Sequence, residues 1–319
     1  MVATDIVKTQ VFDEPAWELI SPTGARAIVA ERGATLVSWK PRPEIELISS
    51  YENAEELDAG VGGRGLIMAP WVGPIESGTY SFAGNDYRVD DAGRVAGLAF
   101  RQNFKRSSSG STLSLRTAIP ASRGYPWPID VAVHFSLDSG AEAEEHLSLT
   151  LEVRNVSKED APLTIGWSPH VMLPGLGAVS NLAISVPSRT KILTNRHGIP
   201  LPGESAYAGV NMPMDIEYLG SAKLDDYYRG LVPDNYGVVA TRVVDPASNS
   251  SIVLTQEPGE APVVHVNTGD NLERAPRTAV ALAPMSHVPD AFNRPDASGS
   301  IRVSPGQSRQ MTATLTYRA

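Results

Sequence analysis

The sequence predicts an all-β fold, a large antiparallel β-sandwich, and three observations carry that prediction. Short β-rich runs recur along the whole chain, punctuated by Gly, Pro, Asn and Asp turn chemistry. Several of these runs alternate apolar and polar residues, as half-buried strands do. No sustained helical period separates them, which excludes a parallel βαβ architecture.

The runs follow in order. Residues 1–15 read as a loose lead-in. Strand character begins at Trp17-Glu-Leu-Ile20, Ala27-Ile-Val-Ala30 and Thr35-Leu-Val-Ser-Trp39, parted by Ser21-Pro-Thr-Gly24 and Arg32-Gly33. It resumes at Tyr80-Ser-Phe82, Asp86-Tyr-Arg-Val89, Thr112-Leu-Ser-Leu-Arg116, Ile129 to Leu137 and His146 to Val153. Further runs are Leu182 to Val186, Gly237 to Val244, Ser251 to Thr255, Pro262 to Val266, Thr278 to Leu282 and Gln310 to Tyr317. Residues 51–58 alone read as a helical turn or two. The polar stretch 194–218, with Gly198, Pro200, Pro202, Gly203 and Pro213, reads as a long ordered loop, a feature often tied to function. No linker, repeat or low-complexity tract breaks the chain, so residues 1–319 read as a single domain.

Composition narrows the function classes. The chain carries a formal charge of −9 without a basic cluster, which argues against nucleic acid as a partner. It has no cysteine, which excludes disulfides, thiolate catalysis and Cys-type zinc sites. The six histidines lack metal-ligand spacing, so no metal and no cofactor are expected. No apolar run reaches the roughly 20 residues that span a bilayer, and no secretory leader is seen. The expectation is a cytoplasmic enzyme, monomer or homodimer, with a small-molecule substrate and no membrane or nucleic-acid partner.

The stretch with the most chemistry is Gly166-Trp-Ser-Pro-His170. In a strand, Ser168 and His170 lie two apart and share a face. They would form a pocket wall beside Trp167.

The order of segments resembles the aldose 1-epimerase (galactose mutarotase) family over about residues 17 to 318. The segments are Gly33 to Trp39, Ala69-Pro-Trp71, Gly78 to Gly84, Gly124-Tyr-Pro126, Leu149 to Asn155, Gly166 to His170, Leu224-Asp225, Thr268-Gly-Asp270, Pro284-Met285, Pro289 to Asn293 and Ser304-Pro-Gly306. The resemblance implies a mutarotase-like sandwich with an open, carbohydrate-sized cleft on one sheet. It also implies a glutamate base, a histidine acid, a second histidine and an arginine clamp. Those places fall on Ala283, Ser168, Ala96 and the Gly73-Pro74 pair, so four polar signature positions are replaced together. Losing a positioned acid or base costs roughly 10²–10⁴-fold in rate. The expectation is a kept scaffold with a rewritten site.

Candidates for that site follow. His170 lies beside the vacated acid position and is the first choice for acid/base work; the alternative is a cross-strand cap on a backbone group. Asp225 matches an aspartate the family uses on sugar hydroxyls, though aspartate is also a common turn former. His265 shares a face with Asn267, yet a histidine between valines also suits an ordinary sheet face. The expected catalytic residues are His170, Asp225 and His265. The expected substrate contacts are Trp71, Arg101, Trp167, Ser168, Asn267 and His287. Ser168 reads equally as a donor to a substrate oxygen or as a small filler making room for His170. The expected function is a repurposed isomerase or cyclase acting on a modified sugar or a natural-product-like metabolite. An aldose 1-epimerase with relocated groups and a non-catalytic carbohydrate-binding protein are the alternatives.

Overall fold

A computed structural model describes residues 4–89, 95–102, 112–140, 144–207, 209–210 and 213–319. Two antiparallel sheets, one of nine strands and one of seven, face each other across a shared apolar core. The long strands Ile129–Ser139, Glu145–Asn155 and Ser308–Arg318 sit centrally in the nine-stranded sheet. Their strict alternation drives Val131, Val133, Phe135, Leu147, Leu149, Leu151, Ala313 and Leu315 inward, while Ser148, Thr150, Thr312 and Thr314 face outward and bond one another.

The N-terminal segment departs from the sequence expectation. Residues 5–11 are not a loose lead-in: Asp5–Val11 is a strand paired with Glu14–Ile20. Phe12 and Asp13, both at positive φ, form the two-residue turn between them. A type I′ hairpin demands that conformation, and Phe-Asp lacks the Asn-Gly signature that would have revealed it. The helix expected within 51–58 is Ala54–Ala59, capped by Asn53 Oδ1 on the Glu56 N–H and closed by Gly60 in the left-handed region. The stretch 194–218 is ordered where it is described, holding a 3₁₀ turn at Gly203–Tyr207 and a strand at Met214–Ile216. Its residues 208, 211 and 212 lie outside the described residues.

The seven-stranded sheet positions the chemistry. Across it run Ser188–Ile192, Asp225–Leu231, Val263–Asn267, Val280–Met285, Gly166–Ser168 and Leu66–Met68. Pro169 interrupts the expected strand, and His170–Val171 resumes it against Val280–Met285. One face of this sheet belongs to the core. Ile67, Trp167, Val171, Val264, Val266, Val280 and Leu282 alternate onto it and are buried. The Trp167 ring meets Phe135 of the opposite sheet edge-on, with centroids 6.4 Å apart.

Candidate functional site

On the other face of the seven-stranded sheet, the register aligns side chains into three rows. Asp225, Asn267, Ala281 and His170 form the first. Ile192, Tyr227, His265 and Ala283 form the second. Ser168, bracketed by the Gly166–Met285 and His170–Ala281 pairs, continues that row to Leu66. The third is Thr190, Arg229, Val263, Met285, Gly166 and Met68. Neighbouring strands stand about 4.8 Å apart, so His265 and Ser168 face each other across about 10 Å. The floor between them is methyl groups, Ala281 and Ala283. Small residues in the middle strand thus cut a trough with polar walls.

The third row closes one end with apolar packing. Val263, Met285, Tyr227 and Ile192 join Val72, Ala206 and Val288 in a cluster of their own. Gly166 gives close packing there: a Cβ would stand 2.8 Å from Met68 Cε and 3.0 Å from Met285 Cγ, so the methionines would have to shift. Arg229 lies over Tyr207, its guanidinium carbon 4.5 Å from the ring centroid, rather than over the trough.

One wall is a hydrogen-bonded triad. Asp225 Oδ1 accepts from His265 Nε2 at 2.7 Å and from Asn267 Nδ2 at 2.9 Å. Asn267 Oδ1 in turn accepts from the Gly269 N–H at 2.6 Å, which fixes the amide's orientation. The His265 ring stacks on Tyr227 with centroids 4.2 Å apart and planes 15° from parallel. The hydrogen bond from His265 holds the Asp225 carboxyl below the usual carboxylate range. A carboxylate accepts only, so a proton sits on His265 Nε2, and it is the neutral form of this tautomer that carries its lone pair on Nδ1. Among the described residues Nδ1 has no hydrogen-bond partner.

The opposite wall is His170 and Ser168. His170 is 5% exposed, and its Nδ1 donates to the Ser168 carbonyl at 3.2 Å. That carbonyl also accepts from the Gly65 N–H at 2.8 Å. Gly65 is the one residue that fits there, with φ +69 and a Cβ position only 2.5 Å from the Leu36 carbonyl oxygen. Burial, aided by the nearby Arg64 and His265, pushes the His170 pKa down to about 4. His170 is therefore a neutral imidazole whose Nε2 can only accept. The Ser168 hydroxyl, half-buried, bonds nothing among the described residues.

Arg64 is a residue that sequence reading missed. It is 1% exposed and ties two loops together, Nη1 to Ser49 Oγ and Nη2 to the Arg274 carbonyl at 2.8 Å. The Ser49 N–H donates to the His170 carbonyl at 2.9 Å, so Arg64 braces the His170 end of the trough. Its sequence signal is faint: an arginine among glycines, Gly62-Gly63-Arg64-Gly65, just before an apolar run.

The structure thus brings together His170, Ser168, His265, Asp225 and Asn267. Trp71 flanks them, 5% exposed, in a small apolar cavity beside Leu66 and Met68. Three expectations need correction. Trp167 is fully buried and faces the core, because it alternates away from Ser168 and His170. Arg101 sits exposed on the edge strand Arg101–Gln102 of the nine-stranded sheet, not on the cleft sheet. His287 is spent internally: Nδ1 accepts from the Val288 N–H at 2.9 Å and Nε2 donates to Ser300 Oγ at 3.1 Å.

A wider cavity bounded by the Thr79–Phe82 and Asn85–Arg88 strands, Arg123 and Asn293 shares no residue with the trough. Among the described residues, no group of three or more His, Asp or Glu side chains is placed to hold a metal ion, and no helix is long and apolar enough to cross a membrane.

A nine-on-seven antiparallel sandwich with a polar trough on the smaller sheet defines a mutarotase-like scaffold. The chain belongs to the aldose 1-epimerase family, whose model matches residues 15–316. It is similar to the GalM/aldose epimerase homologue from C. elegans, at TM-score 0.76 and 13% identity over 99% of both chains. It is likewise similar to galactose 1-epimerase from Lactobacillus acidophilus, at TM-score 0.76 and 14% identity over 100% of this chain and 99% of that one. Among curated proteins it is 22% identical to the uncharacterized protein YihR of Escherichia coli over 240 residues, which is 72% of this chain and 71% of YihR.

Proposed function

We propose that this protein is an acid/base enzyme, an isomerase or cyclase, acting in the trough on a modified sugar or a non-sugar, natural-product-like metabolite. The observation that carries the reading is the His265–Asp225 pair, 2.7 Å apart, set across the alanine floor from His170 and Ser168. His265 Nδ1 takes a proton from a substrate hydroxyl, and Asp225 stabilises the imidazolium that forms. The same nitrogen returns the proton to the oxygen on the other side of the bond that opens or closes. His170 Nε2 accepts a hydrogen bond from a second hydroxyl and orients the ring. Ser168 donates to the oxygen that gains charge. His265 is thus the proton carrier and His170 a neutral acceptor, a division that sequence reading had not made. The alanines at 283 and 96, in the places the family resemblance gives to a glutamate and a histidine, favour a ligand less polar than a plain aldose.

The test is anomer exchange followed by NMR. With α-glucose and α-galactose, the wild-type protein is expected to leave exchange at its spontaneous rate. On a panel of deoxysugars, lactols and hydroxyketones, His265→Ala is expected to lower turnover of the accepted compound by roughly 10²–10⁴-fold. Acceleration of glucose or galactose exchange, abolished by His170→Ala or His265→Ala, would replace this reading with that of an aldose 1-epimerase using relocated groups.

A further inference from the structure

Beside the Ser168 end of the trough lies a cavity of about 130 Å³ with eight lining residues, among them the six side chains of Leu66, Met68, Ala69, Trp71, Val95 and Ala96. Leu66 and Met68 belong to the trough as well, since they pair with Ser168 and Gly166 on the same sheet face. The cavity therefore borders the candidate site along the Leu66–Met68 strand. Its walls are aliphatic and aromatic side chains, and none of the six carries a charge. The Trp71 ring is held in place by Tyr125 and Phe292, at centroid distances of 6.4 and 6.5 Å, so the wall is preformed. The volume is close to that of an engineered apolar cavity of about 150 Å³ that stays dry and takes benzene or xenon.

We propose that this cavity is a specificity subsite for an apolar branch, a phenyl ring or a chain of about four carbons, carried by the molecule that lies in the trough. The proposal rests on the acid/base reading above and names its substrate class: a compound with hydroxyls for His265 and His170 and an apolar substituent directed toward Trp71. A plain hexose would leave the cavity unfilled. A hydroxyl placed there would lose its water without gaining a partner from the aliphatic side chains that line the cavity among the described residues. Each methylene seated in it should tighten binding roughly fourfold. Selection thus comes from both ends, hydrogen-bond acceptors on one side and apolar volume on the other.

Benzyl alcohol tests the cavity by itself, with binding read by saturation-transfer NMR on the full chain. Wild-type protein is expected to bind it, and Ala96→Leu, which fills the cavity from its rim, is expected to weaken binding at least about tenfold. His265→Ala, which leaves the cavity intact, should bind it as wild type does. Ala96→Val, a smaller intrusion, should fall between, and thermal melts establish that each variant is folded. Joining of cavity and trough is read from phenyl and methyl glucosides of both anomers: at least one phenyl compound should bind about tenfold tighter than its methyl counterpart, and Ala96→Leu should erase the difference. Absence of benzyl alcohol binding, binding indifferent to Ala96→Leu, or no phenyl advantage in either anomer would overturn the subsite. None of those results touches turnover by His265, so failure of the subsite and failure of the acid/base reading are separate outcomes.

Discussion

The two faces of the seven-stranded sheet are made by the same strands and obey opposite rules. On the core face, Trp167, Val264, Val266, Val280 and Leu282 are buried against the nine-stranded sheet, and their value is packing. One residue along each strand, Ser168, His265, Asn267, Ala281 and Ala283 face the trough, and among the described residues the Ser168 hydroxyl and His265 Nδ1 keep hydrogen-bonding capacity unused. The difference teaches that polarity by itself does not mark the site. His170 is as buried as a core residue, yet its Nε2 has no hydrogen-bond partner among the described residues. Trp167 Nε1 is also without a partner among the described residues, but it is sealed in the core, where no ligand reaches it.

That contrast can be broken experimentally, and the largest effect on stability is expected on the core face. Trp167→Ala should cost about 3–5 kcal/mol in urea unfolding, because a large cavity opens against Phe135. A loss below about 1 kcal/mol would show that the ring does not bridge the sheets.

The next effect is the pH response of the buried imidazole. The folded-state pKa of His170 is pushed down to about 4 from the ordinary 6.5, mainly by burial. Between those values the unfolded chain holds a proton that the folded chain does not, so stability is complete above about pH 6.5 and falls as pH drops toward 4. The fall is on the order of 3 kcal/mol. His287, pushed down to about 4 by its burial and the surrounding arginines, adds a loss of the same sign. Urea titrations at about pH 7.5 and about pH 4.5 should show a smaller loss in His170→Asn than in wild type. Equal losses in the two proteins would mean that His170 is not held neutral.

The smallest effect on stability belongs to the solvent side of the trough. Asp225 has 59% of its side chain exposed, so Asp225→Asn should change stability by less than about 1 kcal/mol. Turnover should nevertheless fall at least about tenfold, since an amide cannot stabilise the imidazolium of His265 as a carboxylate does. Unchanged turnover would reduce Asp225 to a structural partner.

Much of this arrangement was legible in the chain. Alternation gave seven of the nine strands of the larger sheet within a few residues; the short edge strands Arg101–Gln102 and Met214–Ile216 were not legible. The two-residue spacings Ser168/His170 and His265/Asn267 gave faces that the register bears out. Leu66–Met68 and Asp225–Leu231 were not read as strands: the first is three residues long, and the second is broken in pattern by Arg229-Gly230. Arg101 was misplaced because a charged residue near a family segment says nothing about which sheet receives it. Arg64 escaped because its role depends on loops 15 and 210 residues away in sequence.

The sequence by itself determined the fold class, the absence of thiol chemistry and the parity of side chains along each strand, since these follow from composition and from the fixed period of an extended backbone. Which parity faces the core, and which strands lie side by side, was decided only by the tertiary structure. Pairing distances of about 4.8 Å bring His265 to Asp225 and set both across from His170, although 55 residues separate Asp225 from His170 along the chain. Local pattern fixes the direction of a side chain relative to its own strand; the packing of the sheets fixes what that direction meets.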